Sequence, residues 1–224
     1  MTTLKSKNLA YEIADILSER IIRMELKQGE RILEAKIAKE FNVSQSSVRE
    51  ALRVMEQSGL VEINQRRGTY VTRLTGNDIE ILYDLITDLY ALLITKAMEN
   101  KSAANVQKIL AIVKNIENAA EKNDFDNYFE SIFELAIVAI EAVNSLLLKK
   151  VITDSWPNKR RIEYMTLKMR KYELKNNLKY FKQLEKYMME SNLEKMIKTI
   201  REYAQNEKKI AISNLEKIID SKQL

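Results

Sequence analysis

Four polar side chains between residues 45 and 53 have types and spacing that suit binding to a polyanion. Gln45, Ser46, Arg49 and Arg53 carry hydrogen-bond donors and cations, and none of the four is a carboxylate. Amide, hydroxyl and guanidinium groups are the ones that read base edges and phosphates in DNA. If one helix carries all four on its exposed face, that face suits the major groove.

The residues between these polar positions predict that helix. Its apolar positions recur at helical spacing and comprise Val48, Ala51, Leu52 and Met55. Ser44 is a good N-cap for a helix that begins at Gln45, and Gly59 suits the left-handed conformation just past its end. The polar set therefore lies opposite a buried face on a helix with defined ends.

The neighbouring segments complete a winged helix-turn-helix. A helical repeat of apolar residues within 33–41 predicts a second short helix, and Asn42-Val43 interrupts the repeat before Ser44. An amphipathic stretch over about residues 8–24 predicts a helix ahead of both. After them, strand periodicity on both sides of a polar tip at residues 65–68 predicts a hairpin wing.

Residue types that are missing restrict the chemistry of the chain. It contains no histidine and no cysteine, so it has no Ser-His-Asp or Cys-His catalysis, no imidazole or thiolate metal site and no disulfide. Only an all-oxygen metal site is possible. We therefore expect no enzyme activity and no cofactor. The net charge of +5 is compatible with a nucleic-acid partner.

The remainder of the chain predicts a second, all-helical domain. Long helical repeats begin after residue 75, which gives a DNA-binding domain over 1–75 and an effector-binding and dimerisation domain over 76–224. About six or seven helices are expected there, with a break at Trp156-Pro157-Asn158. No apolar run approaches the roughly 20 residues that span a bilayer, and the first residues lack a signal-peptide core, so a cytoplasmic location is expected.

The stretch GERILEAKIAKEFNVSQSSVREALRVMEQSGLVEINQRRGTYV resembles the DNA-binding domain of GntR-family bacterial transcription regulators. The residues that match the usual pattern are Gly29, Arg31, Glu34, Ala38, Val43, Ser44, Val48, Arg49, Glu50, Ala51, Leu52, Gly59, Leu60, Val61 and Gly68. The sequence departs from it at Gln45, often arginine in the family, and at Ser46-Ser47. Because these are base- and phosphate-reading positions, the resemblance does not transfer an operator sequence.

Together, the residue pattern and the resemblance select a set of candidate DNA-binding residues. They are Arg31, Ser44, Gln45, Ser46, Ser47, Arg49, Arg53, Arg66, Arg67 and Gly68. Glu50 would repel phosphate and is expected to pair with a nearby arginine instead. The implied function is a homodimeric transcription regulator that binds an inverted-repeat operator in double-stranded DNA.

The position and helix content of residues 76–224 resemble the effector-binding domain of the FadR-like subfamily, called FCD. Many such domains bind a metal through an aspartate and three histidines, beside an arginine that holds a carboxylate effector. The corresponding positions here fall near Ser131, Leu135, Phe181, Tyr203 and Ile86. Because the metal ligands of the family are replaced at these positions, a site without metal is expected, with a small hydrophobic effector as the candidate ligand. No membrane partner is expected.

Several alternatives stay open on the sequence alone. The five effector positions also fit plain core packing, which apolar residues provide by default. The arginines fit a solvated surface. The whole chain also fits a helical protein-interaction module, or a ligand-independent DNA-binding protein without an effector response.

Overall fold

The structure is a computed structural model that describes the backbone of residues 5–220 and the side chains of residues 9–170 and 173–215. Within these residues the chain is mainly helical and contains one small antiparallel sheet. The chain divides into two compact units: Met1–Thr75 with Asp154–Met165, and Gly76–Thr153 with Thr166–Leu224. No helix in the described ranges is both long and apolar enough to cross a membrane.

The first unit is a winged helix-turn-helix, as the sequence predicts. Its elements are α1 (Lys5–Ile22), β1 (Arg31–Ile32), α2 (Glu34–Phe41), α3 (Gln45–Gln57), β2 (Val61–Asn64) and β3 (Gly68–Val71). The strands lie in the order β1-β3-β2, with both pairs antiparallel. Asn42 ends α2 in the left-handed conformation at φ 53°, which makes the tight turn into α3.

One hydrophobic core holds these elements together. Leu17 of α1, Val48 and Ala51 of α3, and Leu60 at the start of the wing are all fully buried in it. The predicted apolar face of α3 is thus its buried face. Past the end of α3, Gly59 has φ 71° and the amide of Leu60 donates to the carbonyl of Met55 over 3.1 Å. This is the helix-ending geometry for which glycine is favoured.

The second unit is a helical bundle. Its helices are α4 (Gly76–Glu99), α5 (Ala103–Lys122), α6 (Phe125–Val143), α7 (Leu146–Met169, outside its middle part), α8 (Leu178–Met189) and α9 (Leu193–Asp220), with a 3-10 segment at Lys171–Asn177. α4 packs against α9 and α6, and α5 packs against α6 and α8. Six α-helices in the described residues agree with the expected six or seven.

One sequence-based expectation about α7 is wrong. The helix continues through Pro157, where the sequence predicts a break. Residues 154–165 of the same helix pack with the first unit. The physical reason is packing: Ile162 and Arg161 are buried in this segment, and such tertiary contacts offset the backbone hydrogen bond that proline removes.

Candidate nucleic-acid interface

The N-terminus of α3 is organised by a cluster of three serine hydroxyls. Ser44 accepts a hydrogen bond from the backbone amide of Ser47 over 3.1 Å, as an N-cap does. The Ser44 hydroxyl also lies 2.8 Å from that of Ser46 and 2.9 Å from that of Ser47. The end of α3 therefore combines hydroxyl donors with the partial positive charge of a helix N-terminus, an arrangement that suits a phosphate.

Arg49 is exposed and makes one hydrogen bond to a carboxylate. Its Nε donates to Oε2 of Glu34, in α2, over 2.6 Å, while 61% of the Arg49 side chain stays accessible. A guanidinium carries five N–H donors, so this bond leaves most of its capacity for a base or a phosphate. The carboxylate that binds Arg49 is Glu34 rather than Glu50, which is exposed.

Arg31 and Gly68 are brought together by the sheet. β1 pairs with β3 so that Arg31 lies opposite Tyr70 and Ile32 opposite Thr69. A Cβ atom placed on Gly68 would lie 3.2 Å from both Nε and Nη2 of Arg31, and Gly68 has φ 96°. The missing side chain thus lets the guanidinium of Arg31 lie over the wing backbone in a conformation that favours glycine.

The wing tip presents Arg66 and Arg67, both exposed. Its turn is closed by a hydrogen bond from the amide of Arg67 to the carbonyl of Asn64 over 3.1 Å. The hydroxyl of Tyr70 donates to the carbonyl of Arg67 over 3.1 Å, and the amide of Arg66 donates to Oδ1 of Asn64 over 3.3 Å. Side chains from both strands therefore fix the backbone that carries the arginines.

The remaining two candidates lie on the exposed side of α3. Gln45 is the first residue of the helix, and Arg53 lies one turn beyond Arg49. In the part of the chain that the structure describes, no hydrogen bond or ion pair joins Arg53 to the other candidates. Two supporting residues, Glu34 and Tyr70, were not among the predicted ones. Glu34 matches the family pattern, which was a signal for its importance, whereas the bond made by Tyr70 has no local sequence signal.

An ion pair joins α1 to α2. Arg20 hydrogen-bonds Glu40, and its guanidinium lies 5.1 Å from the centre of the Phe41 ring. The hydrogen bond from Arg20 holds the pKa of the Glu40 carboxyl below its ordinary value. The pair therefore links the last turn of α1 to the last turn of α2.

The predicted effector positions belong to the second unit and are mostly buried. Ile86, Ser131, Phe181 and Tyr203 are each at most 9% exposed, and Leu135 is half-buried. The rings of Phe181 and Tyr203 lie 5.6 Å apart between centres. These positions therefore offer an apolar, partly aromatic environment.

Two other features of the second unit bear on ligand binding. Among the side chains that the structure describes, no three carboxylates are grouped to hold a metal ion. An open groove of about 690 Å³ is lined by Tyr180, next to Phe181 in sequence, and by residues of α9 that are all polar except Ile197. The groove is lined by none of the five predicted effector positions.

Several known proteins are similar in sequence to the N-terminal part of this chain. Residues 9–71 match the model of the bacterial regulatory proteins of the gntR family. An uncharacterized HTH-type transcriptional regulator, YdhC of Bacillus subtilis, is 31% identical over 125 residues, which are 54% of this chain and 56% of YdhC. The gluconate operon transcriptional repressor of Bacillus licheniformis is 30% identical over 124 residues, 50% of this chain and 49% of the repressor. The chain thus covers about half the length of these relatives.

Solved structures share the fold over nearly the whole chain. Escherichia coli McbR/YncC superimposes with a TM-score of 0.79 at 16% identity, covering 92% of this chain and 97% of that one. A GntR structure from Rhodococcus sp. RHA1 gives 0.74 at 17% identity, covering 91% and 97%. The sequence relatives carry the names of transcriptional regulators, which agrees with the expectation that the chain is not an enzyme. Residues 9–71, which form the helix-turn-helix unit, thus match the DNA-binding domain of the gntR family of bacterial regulatory proteins.

Proposed function

We propose that this protein is a sequence-specific transcriptional regulator that binds an inverted-repeat operator as a homodimer. The observation that carries the proposal is the exposed face of α3. It begins with the serine hydroxyl cluster and Gln45, and one turn later it presents the guanidinium of Arg49 held by Glu34. A face of fixed donors without a carboxylate at its N-terminal end is what base and phosphate recognition requires.

In the proposed complex α3 is the recognition helix. Its N-terminal residues enter the major groove, with Gln45 and Arg49 facing base edges and the serine cluster facing a phosphate. The wing arginines, Arg66 and Arg67, lie along the adjacent backbone or minor groove. Arg31 lies over Gly68, so it adds a third cation to the wing.

Exposed apolar side chains of the second unit support the homodimer. Ile81, Leu85 and Leu92 of α4 are 46–58% exposed, and Leu146 and Leu147 at the start of α7 are 85% and 75% exposed. Exposed apolar patches mark interaction surfaces, and a two-fold dimer matches an inverted repeat. Pairing of the second units would cover such side chains and place two copies of α3 on one operator.

The second unit is proposed to regulate DNA affinity without a metal, as an FCD-type domain with an apolar effector. The chain has no histidine or cysteine, so the usual imidazole ligands are missing. The buried apolar environment of Ile86, Phe181 and Tyr203 suits a hydrocarbon ligand better than a metal-bound carboxylate.

Binding-site selection tests the DNA-binding proposal. The purified full chain is incubated with random double-stranded DNA, and bound sequences are amplified and read. We expect an inverted repeat bound by two protomers, as measured by analytical ultracentrifugation. Enrichment of no sequence, or of non-palindromic sequences only, would contradict the proposal and favour an interaction module.

Metal and ligand binding test the regulatory proposal separately. Zinc and nickel are titrated against the purified chain, and native mass spectrometry is used to detect a co-purified apolar molecule. We expect no stoichiometric metal binding and a bound hydrocarbon mass in the folded protein. Tight one-to-one metal binding would overturn the metal-free site.

A further inference from the structure

The middle of α7 contacts the C-terminal end of α3, although about 100 residues separate them in sequence. Both segments belong to the first unit. Nδ2 of Asn158 donates to the carbonyl of Ser58 over 3.1 Å, and Ser58 is the C-cap of α3. A Cβ atom on Gly59, the next residue, would lie 3.1 Å from the same nitrogen. The last carbonyls of a helix have no hydrogen-bond partner within that helix, and the side-chain amide of Asn158 binds at this end of α3.

Arg161, one turn further along α7, binds the chain that leaves the wing. Its Nη2 donates to the carbonyl of Thr72 over 2.6 Å, and its Nη1 donates to the Thr72 hydroxyl over 3.0 Å. That hydroxyl in turn donates to the carbonyl of Gly59 over 2.8 Å. One guanidinium thus joins the end of the wing to the end of α3.

Arg161 makes these bonds from a buried position. It is 3% exposed, and burial lowers its pKa to about 10, so it keeps its charge at neutral pH. A buried cation needs its hydrogen bonds, because leaving it without them is costly. The geometry of Arg161 and Thr72 is therefore strongly constrained.

We propose that Asn158 and Arg161 are positioning residues for the recognition helix: they fix its C-terminal end, and so the angle at which its N-terminal end enters the major groove. This inference rests on the proposed function, in which α3 reads DNA. It also implies that the DNA-binding unit is incomplete without residues 154–165 of α7.

The length of α3 explains why its far end matters. The helix has 13 residues and is therefore about 20 Å long at 1.5 Å per residue. A rotation of about 5° at the C-terminal end moves the N-terminal end by roughly 2 Å, which exceeds the tolerance of a hydrogen bond. Loss of the contacts with α7 would thus weaken base recognition by the N-terminal residues of α3, although α7 does not contact those residues.

The test uses the full chain and the operator obtained by selection. Asn158→Ala removes one donor, Arg161→Met removes the guanidinium at similar size, and Arg161→Lys keeps the charge and a donor. Asn115→Ala, on the exposed side of α5 in the second unit, is the matched control. Operator Kd is measured by fluorescence anisotropy at several salt concentrations, well below each thermal midpoint, with the active fraction determined by titration.

We expect Asn158→Ala and Arg161→Met to weaken operator binding by roughly five- to tenfold, with the salt slope of the wild type. Arg161→Lys recovers part of the loss, and Asn115→Ala changes nothing. If Arg161→Met does not fold, the operator Kd of Asn158→Ala alone tests the role of α7.

Two results would overturn the role of α7 alone. A lowered thermal midpoint with an unchanged Kd of the active fraction would assign α7 a purely structural role. A salt slope reduced by about one in Arg161→Met would mean that Arg161 contacts a phosphate directly. A wild type that selects no operator would overturn the proposed function itself, whereas variants that bind a selected operator normally overturn only the role of α7.

Discussion

The Nε atom of Arg49 lies 2.6 Å from Oε2 of Glu34, and this bond joins the two helices of the helix-turn-helix. Glu34 is the first residue of α2, and Arg49 lies in the second turn of α3. The carboxylate restricts the rotamers of an otherwise exposed side chain, so less conformational entropy is lost when the guanidinium meets DNA. In the proposed complex, Glu34 thus acts on DNA binding through Arg49.

The first prediction follows from this pair. Arg49→Ala should weaken operator binding by about 1–3 kcal/mol if the guanidinium reads a base, and Glu34→Gln should weaken it by less. The double variant should bind no worse than Arg49→Ala, because Glu34 acts through Arg49. Anisotropy titrations complete this double-mutant cycle. Additive losses would show that Glu34 acts independently of Arg49.

The second prediction concerns the wing. Arg66→Ala and Arg67→Ala should each weaken binding to operator and to random DNA by similar factors, because backbone contacts carry little sequence information. Each should also reduce the salt slope by about one. Lys108→Ala, at an exposed position in the second unit, is the control for the loss of one positive charge. An unchanged slope in both wing variants would remove the wing from the interface.

The third prediction separates capping from DNA contact. Ser44 and Ser102 are both N-caps whose side chains accept from the amide three residues later, Ser47 and Asn105 respectively. Replacement of either by alanine should lower the free energy of unfolding by about 1 kcal/mol. Only Ser44→Ala should also weaken operator binding. Equal DNA affinity for the two variants, measured on folded protein, would restrict Ser44 to a capping role.

The fourth prediction concerns Gly68. Gly68→Ala should lower the free energy of unfolding by about 1 kcal/mol or more, because φ is 96° and the new methyl group would lie 3.2 Å from the guanidinium of Arg31. It should also weaken DNA binding by displacing Arg31. Gly76→Ala is the control, since a Cβ there has Ile212 at 4.0 Å as its nearest neighbour. Equal thermal midpoints for Gly68→Ala and Gly76→Ala would contradict the explanation that the wing requires glycine at position 68.

The fifth prediction is a pH dependence. The pKa of Glu40 is lowered in the folded state by its hydrogen bond to Arg20, so the pair stabilises the fold above the ordinary pKa of a glutamate. This contribution is lost as the pH falls through the lowered pKa. Glu40→Gln should therefore reduce stability slightly at pH 7 and have no effect at strongly acidic pH. A difference that persists in acid, measured by urea unfolding, would show that charge is not the cause.

The sequence predicts the helix-turn-helix well because its signals are local. The apolar period of α3, the Ser44 cap and the turn at Gly59 each lie within a few residues of the feature that they determine. The strand β1 was not predicted, because two residues carry no period and the strand exists through pairing with β3. Pairing between distant segments leaves no trace in a local pattern.

The same distinction explains why the expected break in α7 is absent. Pro157 is a local signal for a break, and tertiary packing of residues 154–165 overrides it. The bond from Asn158 to the end of α3 joins residues 100 positions apart in sequence, and the bond from Arg161 to Thr72 joins residues 89 positions apart. Likewise, the carboxylate that binds Arg49 lies in the preceding helix, 15 residues away in sequence.

Base reading by the first turns of α3 is the central claim, and Gln45→Arg tests it most directly. Glutamine pairs with adenine and arginine with guanine in the major groove. Binding-site selection with the wild type and with Gln45→Arg should give inverted repeats that differ at one or two symmetric positions, with guanine replacing the wild-type base in the variant. Identical selected sites for the two proteins would contradict the claim that the N-terminal end of α3 reads the operator.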